Sequence, residues 1–583
     1  MSSPSDAFGA RTTGVAQPRL RSRTLFAGAL VAGALLGACT GNIPVGGAGG
    51  AGGSVSGGGC PTCPTTCTNC GPGSSAQGLG WSTRFPRLSH KQWENTMRDL
   101  LKLDRTSGLS ASFTPDVMTR FDTNAEENKI ATNLRNDYET AAETLAKQVV
   151  TNSAQLAKIM PPNLTGDTQA KGRAFVTAFG KRAFRRPLTA DEVTAMTALF
   201  MKGSSLLGGD AVVAGVELTL RAFLQSPHTL YRVESSTAAQ ENKIWLNGYE
   251  IATRLSYTLW NTMPSDALLA AAEAGELNTM AGVARWASNM VHDPRAQEIA
   301  VSFHEQLFGV DLYGTTLKDA RLFPTFTRDL EPILQSEARM FFDDVTKNGG
   351  GIRDVLTKPF TFVNNRTAGF YGLNNGSFTA AMQRVDLDPQ RRAGILTQLG
   401  FLAKNGGLVQ SDPIHRGVLI NLHVLCEKII PPPNLPPLPE LQPAQTNRQR
   451  VDNHTKVCGA GCHDTRINPI GFAFEHYDAI GAWRDTDNGL PVDSAATYTL
   501  DGQTLTYNDA IQLSQKLAEA RRVHNCYATN WLEYALGRKP VIAEAESIKI
   551  ISDASIGGIG AKALLARITT LDTFRARPVE VAP

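Results

Sequence analysis

Excess charge of either sign is what this 583-residue sequence most conspicuously lacks, with 57 basic against 54 acidic residues and a formal net charge of +3. Gripping a phosphate backbone needs a concentrated basic surface, so this balance excludes nucleic acid as the main partner. Long apolar runs are scarce too. Leu25 to Ala38 is fourteen residues without a charge, short of the ~20 that span a bilayer as a helix, and no other segment is long and apolar enough. The chain has no P-loop, dinucleotide-binding glycine fingerprint, GxSxG elbow or HExxH, so no motif supports an NTPase, a nicotinamide oxidoreductase, an α/β-hydrolase or a zincin. Alternating strand patterns are rare, which points away from a β-rich body. Methionine stops at Met382, and that bears on the metal chemistry below.

The first forty residues carry an address. Arg19, Arg21 and Arg23 form a positive stretch before the apolar run, the layout of a secretory signal. The run ends Leu36-Gly37-Ala38-Cys39, which matches a bacterial lipobox. This predicts cleavage before Cys39, a lipid on its thiol, and a cell-envelope location with the membrane as partner. Thr40, where retained lipoproteins carry Asp, points to the outer membrane. The simpler alternative is a secretory signal with an incidental cysteine.

Export places the nine cysteines where thiols are oxidised or metal-bound. A Gly/Ala/Ser-rich tether from Gly41 to Gly59 leads into Cys60, Cys63, Cys67 and Cys70, spaced CxxC-x3-CxxC. Four thiolates suit tetrahedral zinc, and two local disulfides suit the compartment better. Folded sequence begins near Trp81 and reads as mainly α, multi-domain. Ser89 with Gln92 and Thr189 with Glu192 form capping-box pairs, each followed by an apolar face. Ile251, Leu255 and Leu259 mark an amphipathic helix stopped at Met263-Pro264, and Ser265 caps the next. The Trp, Met and aromatic stripes read as packing. Pro431 to Pro443 is proline-rich, an extended strap about 40 Å long at ~3.1 Å per residue.

One cluster carries chemistry. Cys458-Gly-Ala-Gly-Cys462-His463 is CxxxCH, one residue longer than the CxxCH that attaches haem c through two thioethers and an adjacent iron ligand. Gly459 and Gly461 give the longer loop the backbone freedom to reach. With no methionine downstream, a second axial ligand within the C-terminal region comes from His454, His476 or His524, with His415 and His423 behind them, or stays open. The backbone near Pro469 offers a carbonyl to Nδ1 of His463. Two other readings fit the same letters: a CxxxC disulfide beside a surface histidine, or a Cys/Cys/His/His zinc site using His454. If Cys458 and Cys462 serve haem, Cys426 and Cys526 remain as a possible disulfide. Glu475, Asp478 and Arg484 read as salt bridges and turn caps.

The segments RLSHKQWENTMRDLLKLD, FVTAFGKRAFRRPLTADEV, LNGYEIATRLSYTLWNTMPSDALL, SDPIHRGVLINLHVLC with CHDTRINPIGFAFEHYDAIGAWR, and CYATNWLEYALGR resemble the planctomycete and myxobacterial multi-domain family of unknown function that joins helical modules to a cytochrome c-type segment. The resemblance implies a helical body with a small, loop-rich, cytochrome c-like C-terminal segment. The expected parts are a signal peptide at 1–38, tether and cysteine cluster at 39–80, helical modules at 81–165, 166–240 and 241–385, the strap and Cys-Cys-His segment within 386–500, and a helical module at 501–583. It implies haem c at Cys458, Cys462 and His463. The chain departs from the family's CxxCH there. A haem lipoprotein would move electrons to a redox partner or oxidise an extracellular substrate; the other reading is a non-catalytic, disulfide-stapled surface protein that binds a polymer or a protein.

Overall fold

Capping decides where many of the helices begin. In His90–Leu100, the Ser89 hydroxyl accepts from the Gln92 N–H and the Gln92 side chain accepts from the Ser89 N–H. Thr189 and Glu192 do the same for Ala190–Met201, and Ser265 caps Asp266–Glu273. These reciprocal bonds satisfy donors that would otherwise be orphaned at a helix start.

The computed structural model describes residues 79–579, apart from Met118, Glu126, Glu127, Thr316 and the segments 431–436 and 457–459. The lipobox with Cys39, the Cys60 to Cys70 cluster, Cys458 and the first half of the proline strap lie outside the described residues. Among the described residues, twenty-three α-helices against nine strands of two to five residues make the fold mainly α. No helix among the described residues is long and apolar enough to cross a membrane.

Two apolar cores divide the helices. The first gathers residues from Leu88 to Leu230, with Trp93 and Met97 at its centre. The second holds Phe121 and residues from Leu246 to Phe574, among them Phe303 stacked on Trp531, centroids 3.6 Å apart. The helix Gly248–Trp260 is the seam. Ile251, Leu255 and Leu259 face the second core, whereas Tyr257 faces the first. The helix is therefore buried on nearly every face, not amphipathic as its periodicity suggests. It also stops earlier than Met263-Pro264, because Asn261 takes φ 56° and ends the hydrogen-bond ladder.

Sheets are small. One has the antiparallel order Ala239–Gln240, Lys243–Trp245, Ala576–Pro578, so the last strand of the chain pairs with residues more than 300 positions earlier. A hairpin of Ala496–Leu500 with Gln503–Tyr507 flanks the Cys-Cys-His region.

Candidate functional site: the segment around Cys462 and His463

Close backbone approach positions this segment. The helix Pro413–His423 lies against it so tightly that a Cβ on Gly417 would meet the Ile467 carbonyl oxygen at 2.3 Å, and one on Gly471 the Pro413 oxygen at 1.9 Å. Only glycine fits at those two positions. Asn421 ties the contact, its Nδ2 donating to the Gly417 and Arg466 carbonyls at 2.8 and 2.9 Å.

A π-helical turn, Ala460–Ile467, carries Cys462 and His463. The Asn468 amide fixes the imidazole. Its Nδ2 donates to the Thr455 hydroxyl at 2.9 Å, and that hydroxyl donates to the Val451 carbonyl. The amide oxygen therefore faces His463 Nδ1 at 3.1 Å, so Nδ1 carries the proton and Nε2 keeps a lone pair. The expected partner was a backbone carbonyl near Pro469; a side-chain amide one residue earlier takes that place. Burial lowers the His463 pKa, and the Asn468 hydrogen bond and the Asp464 charge offset that only in part.

The other histidines are committed elsewhere. His476 stacks on Trp483, centroids 4.5 Å apart, and its Nδ1 donates to the Arg484 carbonyl. His524 is fully buried, with Nδ1 on the Ser555 hydroxyl and Nε2 on the Ala518 carbonyl, so it has no lone pair left for a metal. His415 pairs with Asp412 at 2.6 Å. Burial drops His423 to about 4. Of the proposed distal ligands, His454 is the one whose charge acts on His463. Among the described residues no three His, Cys, Asp or Glu side chains converge as a metal site.

The described cysteines are oxidised. Cys426 and Cys526 form a disulfide, Cα atoms 5.3 Å apart, which joins the chain just past Pro413–His423 to the helix Arg521–Leu536. Cys462 is disulfide-bonded as well. Beside it opens a polar groove of about 460 Å³, with Glu427, Asp464, Arg466, Tyr498, Asp501 and Arg522 on its walls. Arg466 pairs with Glu427 at 2.7 Å across it. A c-type haem needs free thiols for two thioethers and a largely apolar crevice. The imidazole fits that group. The oxidised Cys462 sulfur and the polar groove do not.

Behind the segment, buried charges brace the GFAFEHYDAIG loop. Arg416 is fully buried and donates to the carbonyls of Leu402, Phe474, Tyr477 and Asp478. Glu475 accepts from Arg484 and from the Ser411 hydroxyl, both at 3.1 Å. Burial raises its carboxyl pKa in spite of Arg484 and Arg416. Asp478 caps the turn by accepting from the Ile480 and Ala482 N–H groups. These groups are walled into the fold and position the loop.

Sequence reasoning missed Asn468, Thr455 and Arg416. A polar residue five positions after a histidine has no periodic signature, and a buried arginine serving only carbonyls leaves no charge partner to find in the sequence.

Comparison with known families returns five matches in series, each described as a protein of unknown function. They are DUF1587 at residues 86–151, DUF1595 at 171–234, DUF1592 at 246–373, DUF1588 (PSCyt3) at 392–487 and DUF1585 at 503–574. No curated protein and no solved structure matches the chain. With its helical architecture, this series makes the chain a multi-domain protein built from five domains of unknown function, the Cys-Cys-His segment falling in the fourth.

Proposed function

We propose that the protein is an exported, lipid-anchored surface protein of the cell envelope that is braced by disulfides and binds a polymer or protein partner without catalysing a reaction. One observation carries this reading: every described cysteine, Cys426, Cys462 and Cys526, is disulfide-bonded. A structural disulfide at Cys462 suits an oxidising compartment. The polar groove beside it has the volume of a ligand cleft and mixed charge on its walls. The anchor is Cys39, in the sequence Leu36-Gly37-Ala38-Cys39, and Thr40 favours the outer membrane.

A second reading keeps one specific support. His463 presents an Nε2 lone pair while Asn468 holds Nδ1–H, the arrangement of a proximal haem ligand. On that reading Cys458 and Cys462 carry haem c, and the protein moves electrons to a redox partner or oxidises an extracellular substrate.

One experiment separates the two. The mature chain, made in a host competent for cytochrome c maturation, is examined by absorption spectroscopy and by thiol counting before reduction. No Soret band and no free thiol at Cys462 supports the braced binding protein. A reduced α-band that survives acid-acetone extraction refutes it and installs the haem reading. For the anchor, Cys39→Ala should move the protein from the membrane to the soluble fraction; a variant that stays on the membrane refutes lipidation.

A further inference from the structure

Away from the cysteine segment, a cavity of about 30 Å³ opens to solvent between residues 82–86, Arg232, Arg254, Thr258 and residues 535–538. A smaller void of about 10 Å³ continues past Arg232 toward Thr123 and Tyr257. Its walls come from four of the five matched segments, since Pro86, Arg232, Arg254 and Arg538 belong to different ones.

Three guanidinium groups line the cavity, and two are neutralised. Arg254 grips Glu234 through two bonds of 2.6 and 2.8 Å and also donates to the Phe574 carbonyl. Arg538 grips Glu544 at 2.8 and 2.6 Å. Arg232 has no such partner among the described residues. Its Nε is enclosed without a hydrogen bond, and its guanidinium lies over the Tyr257 ring, 5.9 Å from the centroid. Glu234, the carboxylate that most favours its charge, is already held by Arg254. Burial lowers the Arg232 pKa to about 10, which leaves it cationic at neutral pH. Arg185, the further positive charge nearby, spends its donors on the carbonyls of His228, Thr229 and Tyr231.

We propose that this cavity is an anion site in which Arg232 receives one small oxyanion, a carboxylate or an inorganic phosphate. A guanidinium offers Nε and a terminal nitrogen as parallel donors, which two oxygens of one carboxylate or phosphate match. At roughly 10–15 Å³ per water centre, the cavity holds about two or three water-sized groups, enough for the charged end of a ligand whose remainder leaves through the opening. Bound there, the anion supplies the charge partner that Arg232 lacks and adds a bridge between the N-terminal, middle and C-terminal segments.

The test compares thermal melts of the full mature chain in phosphate, acetate and chloride at matched ionic strength. Each oxyanion is then titrated calorimetrically, and the two arms distinguish phosphate from carboxylate. In wild type, Tm should rise by several degrees and saturate with at least one oxyanion, because a ligand bound to the folded state alone stabilises it by mass action. Arg232→Lys, which keeps the charge without the fork, should retain a weakened response, and Arg232→Met should lose it. Wild type that melts identically in all three salts overturns the proposal, as does an Arg232→Met variant that responds like wild type. Should Arg232→Met fail to fold, hydrogen exchange of wild type decides: the oxyanion should slow exchange at residues 232–234 and 535–538, and unchanged exchange there overturns it.

Discussion

Removing the disulfide between Cys426 and Cys526 should cost this protein more than any single cavity in its cores. The bond closes a loop of sequence separation 100, which takes in the proline strap, the Cys462 turn and the hairpin beside it. For a loop of that length, the chain-entropy account gives about 4.7 kcal/mol lost from the unfolded state. The replacements themselves are mild. Cys526 is 2% exposed and tolerates alanine, and Asn530 keeps its bond to the residue 526 carbonyl at 2.9 Å. Cys426 sits at φ 53°, which a serine there bears about as well as the cysteine it replaces. In a cooperative unit of 150–250 residues, each kcal/mol moves Tm by about 2–4 °C, so the double variant Cys426→Ser/Cys526→Ala should melt roughly 10–20 °C lower. The assay is calorimetry on the oxidised wild type and the double variant, with urea unfolding as the second probe. A loss below about 1 kcal/mol would refute the reasoning, because the loop would then already be closed in the unfolded chain.

Glu337 is fully enclosed, bonded to Thr361 and Tyr371, and burial pushes its pKa up to about 7. Because the folded form holds a proton that the unfolded form releases near 4.5, stability should fall by about 1.4 kcal/mol per pH unit between pH 4.5 and 7. Glu337→Gln should flatten that slope in urea melts at pH 5 and 7.5, and an unchanged slope would count against it. His304 works the other way. Burial drops it to about 4 while Ala300 and Tyr527 hold its two nitrogens, so its contribution is present above pH 6.5 and lost as pH falls toward 4. His304→Gln should make stability less steep in that acid window. Asn468→Leu should release His463 to the Nε2–H tautomer, visible in 15N chemical shifts; a spectrum identical to wild type would mean the amide does not set the tautomer. Arg416→Met removes the donor shared by the Leu402 carbonyl and three loop carbonyls and should destabilise by about 3–5 kcal/mol, read by urea unfolding.

Local signals were legible in the sequence, and contacts between distant parts were not. The capping boxes at Ser89 and Thr189 and the cap at Ser265 form as their spacing predicts, because each is settled within one helical turn. The pairing of Cys426 with Cys526 was one of several open possibilities, named on the premise that haem holds Cys458 and Cys462; the bond forms, although Cys462 is itself disulfide-bonded. The seam helix Gly248–Trp260 misled, since its apolar repeat describes one face while a second core covers the other. The histidines separated by partners no spacing encodes: His524 is spent on Ser555 and His476 on Trp483, whereas His463 is turned by Asn468. Arg232, with no charge partner of its own among the described residues, was invisible for the same reason, because a missing partner in space leaves no mark along the chain.

The three-stranded sheet also governs the order in which the molecule can be built. Lys243–Trp245 waits for Ala576–Pro578, and the Arg254 guanidinium waits for the Phe574 carbonyl. As the chain emerges from its N-terminus, the core around Trp93 has all but a few of its residues early. The second core cannot close until Phe574 and the strand Ala576–Pro578 have arrived. A late, long-range closure of this kind is slow, and it leaves the middle of the chain as an open intermediate until then. A stop codon a few residues before Phe574 should leave the second core without its final fastening, although every helix from Gly248–Trp260 to Ala561–Ile568 would already be made.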